Sequence, residues 1–172
     1  MDIREYDGEK DFDVIKDWIT DRRGHALWCA DRLSFPLFRD EFDRLLSDEY
    51  GRFGNKAYIA CSGGRNVGFF CISHISGNSE AMLKFVMVDP DERGRGIGTE
   101  MLKMSVSYAF GVLGADSVRL CVFSANAAAR RCYEKAGFAE IHTDLAAFAF
   151  GEETWDRCIM QILRKDTTHW QK

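Results

Sequence analysis

The chain predicts a single α/β domain in which a mixed, mostly antiparallel sheet of six to seven strands is flanked by helices. Three observations point there. Short runs rich in branched and aromatic residues recur between turn residues, as at Ala57 to Cys61, Val67 to Ile75 and Val118 to Val122. Other stretches repeat apolar residues at a helical period, among them Leu102, Val106, Phe110 and Leu113. Between these two kinds of segment lies a glycine-rich turn, Asp89-Pro90-Asp91-Glu92-Arg93-Gly94-Arg95-Gly96-Ile97-Gly98, which leads from an apolar strand into a helix.

Taken in order, Asp2 to Tyr6 is a first strand, and Asp11 to Ile19 a helix with Val14, Ile15, Trp18 and Ile19 on one face. Residues 21–37 have no clean period yet contain Trp28, Phe35 and Leu37, so a covered loop with at most one helical turn is expected. A second helix around Arg39 to Ser47 turns Phe42, Leu45 and Leu46 inward. The strands Ala57 to Cys61 and Val67 to Ile75 are joined by the turn Ser62-Gly63-Gly64-Arg65, and Ser76-Gly77-Asn78 turns into the central strand, Met82 to Val88. After the glycine-rich turn and its helix, Val118, Leu120 and Val122 alternate as a strand. Ala139 to Phe150 and Thr154 to Leu163 read as a hairpin about Gly151, and the polar tail from Arg164 is expected to fray. One domain over residues 1–172 is the expected organisation.

The glycine-rich turn has a chemical use. The first amides of a helix have no intrahelical partner and carry the positive end of the helix dipole, which suits a phosphate. Gly94, Gly96 and Gly98 keep side chains out of the way of a pyrophosphate, and Arg93 and Arg95 add positive charge. A Walker loop would need a lysine that is absent here, and the dinucleotide fingerprint a glycine where Thr99 stands, so ATP and NAD are demoted. Further on, Asn126 is placed to cap a helix with Ala129, Cys132, Tyr133 and Ala136 on its apolar side and Gly137 at its end. Asn126 and Tyr133 are about two turns apart and can share one side.

Together these elements resemble the GNAT superfamily of acyl-CoA N-acyltransferases. Its first motif, Arg/Gln-x-x-Gly-x-Gly/Ala, stands here as Arg93-Gly94-Arg95-Gly96-Ile97-Gly98; its second as Asn126, Ala129, Tyr133, Glu134, Gly137 and Phe138. The resemblance implies that the strands ending at Val88 and Val122 run parallel and splay, with cofactor and acceptor meeting in the opening. It implies that backbone groups of Val86, Met87 and Val88 pair with the pantetheine arm of acetyl-CoA as an added strand would. Arg93, Gly94, Arg95, Gly96, Ile97, Gly98 and Thr99 would hold the pyrophosphate, and Asn126, with Ala129 and Tyr133, would line the arm near the acyl end. Tyr133 resembles the family's general acid: its phenol, of ordinary pKa ~10, keeps its proton at neutral pH and can give it to a leaving thiolate. The region between the first two helices would form the acceptor wall.

Composition narrows the alternatives. With 23 basic and 27 acidic residues the chain is mildly acidic, which offers no general footprint for nucleic acid. The charged start, Met1 to Asp7, lacks an apolar signal core and no later run is long enough to span a bilayer, so a cytoplasmic protein is expected. None of the six cysteines shows Cys-x-x-Cys spacing, and Cys61, Cys71, Cys121 and Cys158 lie in apolar strand-like runs, so reduced thiols and no metal are expected.

The expected reaction is transfer of an acetyl group from acetyl-CoA to a primary amine of a small molecule or a protein, by direct attack, in a monomer or homodimer. The base is the weak point. Ribosomal-protein alanine acetyltransferases of this superfamily carry a glutamate in a Leu-Glu-Val context where this chain reads Leu120-Cys121-Val122, and Lys84 and Phe85 occupy the middle of the other usual strand. Glu80, His74 and His142 are the remaining candidates, beside a chain of waters. A longer acyl-CoA, or an acyl-CoA sensor without turnover, are the alternative readings.

Overall fold

The computed structural model describes residues 1–74 and 79–171. The turn expected at Ser76 to Asn78 lies outside them. Among the described residues one sheet of seven strands forms, in the order β1-β2-β3-β4-β5-β7-β6. These are β1 (Asp2–Glu5), β2 (Lys56–Ser62), β3 (Arg65–His74), β4 (Glu80–Val88), β5 (Ser117–Phe123), β6 (Ala139–Phe150) and β7 (Glu153–Leu163). All neighbours pair antiparallel except β4 and β5, which are parallel. The crossover between those two is the helix α4 (Ile97–Gly111), as a parallel pair requires.

Four other helices cover the sheet. On one face lie α1 (Gly8–Ile15), α2 (Arg22–Cys29) and α3 (Arg39–Phe53), which bury Phe12, Ile15, Cys29 and Phe42 against Ile59, Phe69 and Met87. On the other, α4 and α5 (Ala127–Lys135) bury Met101, Leu102, Val106 and Tyr133 against Phe70, Leu83, Leu120 and Ile162. Two apolar layers on one sheet give the core its large buried area, the main stabilising term.

Helix ends differ from the sequence expectation for identifiable reasons. The first helix starts at Gly8 rather than Asp11 because the Asp7 side chain accepts from the Glu9 amide (3.0 Å), and it gives way to a 3₁₀ turn at Lys16. Residues 21–37 were expected to be a loop, yet Asp21 accepts from the Gly24 amide (2.7 Å) and nucleates the two-turn helix α2. The helix α3 runs past Ser47 to Phe53, where Gly54 at φ 62° ends it. As far as Gln171 the tail is not frayed. A 3₁₀ run over Arg164–Gln171 returns Trp170 to the core, with the Lys103 ammonium 5.4 Å from its ring, while an Arg164 Nη donates to the Ala115 carbonyl.

Two local features create an opening in the sheet. The parallel register of β4 and β5 is confined to Glu80 with Ser117, Ala81 with Val118 and Met82 with Arg119; beyond Met82 and Arg119 the two strands part. On its other edge β4 carries a bulge: Met87 pairs with Phe69 and Lys84 with Cys71, so Phe85 and Val86 together oppose Phe70. Phe85 takes a left-handed conformation, φ 51°, to make it. The bulge reverses the alternation, so Leu83 faces the α4 layer whereas Phe85 packs into the α1–α3 layer.

Candidate functional site

The parting of β4 and β5 opens a cleft of about 550 Å³ that runs through the sheet from the α4–α5 layer to the α1–α2 side. Most of the residues singled out from sequence meet there. Val86, Met87 and Val88 line it along the edge of β4 that has no strand partner past Met82; Asn126, Ala129 and Tyr133 line it from α5. Arg93, Gly94, Gly96, Gly98 and Thr99 close its α4 end, whereas Arg95 and Ile97 lie off the lining.

The α4 end is built from backbone. Gly96 at φ 86° is the N-cap of α4 and makes no side-chain cap, so the Ile97, Gly98 and Thr99 amides precede the first intrahelical bond, from the Glu100 amide to the Gly96 carbonyl (3.0 Å). Gly94 (φ 76°) and Gly96 have left-handed backbones that disfavour any side chain, and a Cβ on either would meet nothing within 4 Å, which leaves space for a ligand to approach. Gly98 serves another purpose. A Cβ there would stand 3.0 Å from Cys132 Sγ and 3.4 Å from Val88, so this glycine lets α4 and α5 pack closely.

The two arginines of the turn do structural work first. Arg93 donates to the Val88 carbonyl (3.2 Å) and to the Trp18 carbonyl (3.0 Å), tying the turn to the segment after α1. Arg95 and Arg65 both pair with Glu92, at 2.8 Å each, whose carboxylate is buried. Besides Arg93, whose guanidinium is engaged by two carbonyls, the cations that line the cleft without an ion pair among the described residues are Arg131 and Lys135, i and i+4 on α5. Sequence reading passed over them because charges on a helix usually face solvent; their spacing from Asn126 and Tyr133 was the available signal.

Tyr133 is 8% exposed, and burial, with a small contribution from Cys132, pushes its phenol above the ordinary value. No hydrogen bond engages its hydroxyl among the described residues. It therefore enters neutral pH fully protonated and uncommitted. The Asn126 side chain is committed in part, its Oδ1 accepting from the Ala129 amide (3.1 Å).

The α1–α2 side is built from side chains. Trp18, Asp21, Leu27 and Trp28 face Lys84, Phe85 and Cys121. Trp28 meets Phe85 edge to face, with centroids 5.7 Å apart. The three base candidates are elsewhere: Glu80 pairs with Arg119 (2.7 Å), His142 pairs with Asp144 (3.0 Å) on β6, and His74 ends β3, none lining this cleft. Cys121 does line it, and partial desolvation in the cleft shifts its thiol upward. Among the described residues no group of three or more potential metal ligands clusters, and no helix is long and apolar enough to cross a membrane.

Comparison with known proteins agrees with this geometry. A model of the Acetyltransferase (GNAT) family matches residues 12–138. An uncharacterised N-acetyltransferase of Methanocaldococcus jannaschii is 38% identical over 82 residues, which cover 45% of this chain and 36% of that protein, so the match spans about a third of the relative's length. Among solved structures, the spermidine N-acetyltransferase of Vibrio cholerae in complex with CoA and spermine has a TM-score of 0.78 at 18% identity, over 96% of each chain. A chimera of that enzyme with hSSAT also scores 0.78, at 17% identity over 98% of this chain and 99% of that one. At such identities the likeness concerns the fold. The chain belongs to the Acetyltransferase (GNAT) family, which uses acetyl-CoA.

Proposed function

We propose that the protein transfers the acetyl group of acetyl-CoA to a primary amine by direct attack, in the cytosol, where six unpaired cysteines are at home. The observation that carries this reading is the parting of β4 and β5, which puts an unpaired strand edge, the α4 amides and the Tyr133 phenol into one cleft. Acetyl-CoA supplies the activated thioester. The chain's groups fit it: the Val86 to Val88 edge offers the peptide-like hydrogen bonds that an amide-containing arm can use, and the Ile97, Gly98 and Thr99 amides, with Arg131 and Lys135 lining the same cleft, suit a pyrophosphate.

Tyr133 acts as the general acid. A leaving thiolate has a pKa well above neutrality, so a nearby proton donor lowers the barrier to its departure, by about 10²- to 10⁴-fold in rate for a well-placed group. A phenol raised above its ordinary value never loses its proton in the working range. The amine arrives from the α1–α2 side, and its proton leaves through water, since none of the three base candidates lines the cleft. Release of free thiol from acetyl-CoA with a panel of amines tests the reading. Amine-dependent thiol release is the expected result; tight CoA binding without release by any amine would make the protein an acyl-CoA sensor instead.

A further inference from the structure

A second hollow, of about 530 Å³, adjoins the acceptor end of the cleft on the α3 face of the sheet. The two share Lys84, and the Arg32 guanidinium that lines the second lies 5.3 Å from the ring centroid of Phe85, which lines the first. Its charge is unusual for this protein. In a chain of net charge −4, the hollow is lined by Arg32, Arg52 and Lys84 against Glu49 and Glu80. Glu80 is already matched by Arg119 at 2.7 Å from the next strand.

Glu49 is the centre of the arrangement. It is 3% exposed and receives both Arg32 (2.6 Å) and Lys84 (2.6 Å), one on each oxygen. Burial alone would raise its carboxyl, but the hydrogen bonds and charges of Lys84 and Arg32 outweigh this and hold it below the ordinary glutamate value. One buried anion thus fixes two cations in place and neutralises one of them. Arg52 lies one turn further along α3, lines the hollow, and has no ion pair among the described residues. The hollow presents net positive charge next to the cleft, with Lys84 common to both.

We propose that the acceptor amine also carries a carboxylate, and that this carboxylate is held in the hollow by Arg52 with Arg32 and Lys84. Planar guanidinium groups match a carboxylate's two oxygens, and Lys84, its ammonium 4.2 Å from the Phe53 ring centroid, is held at the boundary between hollow and cleft. The amine end would lie in the main cleft, where Asp21 provides an opposite charge on the α2 side. A polyamine has nothing to offer these cations and is repelled by them. The substrate class inferred is an amino acid or another amine bearing carboxylate, in contrast to the polyamine in the Vibrio cholerae complex.

This inference rests on the acetyl-transfer reading, and the test separates the two. Amino acids and the amines they give on decarboxylation form matched pairs; lysine with cadaverine and phenylalanine with phenethylamine, plus spermidine, are assayed by thiol release. The carboxylated member of each pair should have a kcat/KM at least about tenfold higher, and Arg52→Glu should raise its KM about tenfold or more while narrowing the gap. Arg52 is exposed, so the variant should fold. Equal rates within pairs, a preference for spermidine, or an Arg52→Glu effect that is the same for both members would overturn the inference. If no amine releases thiol, titration calorimetry of lysine and cadaverine into CoA-saturated protein decides it alone: lysine binding that is lost in Arg52→Glu supports the hollow as a carboxylate site, and equal or absent binding refutes it.

Discussion

The two ends of the cleft are made of different material. At the α4 end the groups proposed to bind the cofactor are backbone: amides at the start of a helix, two glycines with left-handed φ, and a strand edge left open by its neighbour. At the proposed acceptor end they are side chains from α2 and the segment after it, α3, β4 and β5, two of which, Arg32 and Lys84, are held by the buried Glu49. Backbone recognition suits a ligand that stays the same, because it depends on a few glycines and a turn. Side-chain recognition suits a ligand that varies between relatives, because each charge can change without altering the fold. Tyr133 lines the same cleft from α5, where the proposed reaction needs its acid.

The largest expected effect falls at that junction. Tyr133→Phe keeps the buried ring and removes the proton donor, so kcat should fall about 10²- to 10⁴-fold while calorimetry shows acetyl-CoA affinity nearly unchanged. A kcat close to that of the original protein would assign the thiolate's proton to water, and would leave Tyr133 as a packing residue edge to face with Phe138. Next, Gly96→Asp places a negative charge where the α4 amides converge and should weaken CoA binding by about 100-fold or more. Any side chain there also strains the backbone at φ 86°, so Gly96→Ala serves as the control, with the strain and without the charge. CoA affinity that is equal in Gly96→Asp and the original protein would remove the phosphate site from this turn.

The acceptor end should break differently, through stability. Glu49→Gln leaves Arg32 and Lys84 without their buried anion and is expected to cost about 2 kcal/mol, less than a fully enclosed pair because Arg32 is half exposed. The pH dependence follows from the sign of the shift. Glu49 is held below the ordinary value of ~4.3, so its contribution is present above that pH and is lost as pH falls through the lower folded value. The Tm gap between the original protein and Glu49→Gln should therefore shrink as pH drops from about 5 to about 3. A gap that is constant over this range would show that Glu49 acts through packing rather than charge.

The same difference in material explains what could be read from sequence. The α4 end was legible almost residue by residue, since a strand, a Pro-ended run, glycines and a helical period are adjacent in the chain, as are Asn126 and Tyr133. Even there, Gly98 proved to be a packing glycine and Arg93 and Arg95 structural ties, because what they touch, Cys132, Trp18 and Glu92, includes residues far away in sequence. The acceptor end was legible only as a region, without its charged partners: residues 21–37 were expected to wall it, and Asp21, Gly24, Leu27 and Trp28 do line the cleft. Residues 21–37 hide a helix whose only start signal is Asp21, and Arg32, Glu49 and Lys84 are drawn from segments that share no pattern. The bulge at Phe85, which turns that residue toward Trp28, comes from a mismatch between β3 and β4 that no single segment records.

The smallest expected effect is an absence of one, and it concerns the base. A lysine-like amine of pKa ~10.4 is roughly one part in a thousand neutral at pH 7.4, so a proton must leave before attack. Glu80, His74 and His142 do not line the cleft, and the carboxylate that does, Asp21, caps α2 through the Gly24 amide, so water is the proposed route. The rising limb of kcat/KM against pH then belongs to the acceptor itself, and two acceptors of different pKa should give limbs displaced by that difference. Because burial keeps the Tyr133 phenol above its ordinary value, its ionisation should not cut the profile off below pH ~10. His142→Gln, at a site exposed on β6, should leave both limbs where they are. A limb fixed near pH 6 to 8 for both acceptors would instead require a titrating group of the protein. Asp21 would then be the first to replace, as the carboxylate that does line the cleft, and Asp21→Asn would retain a side-chain oxygen to cap α2 while removing the base.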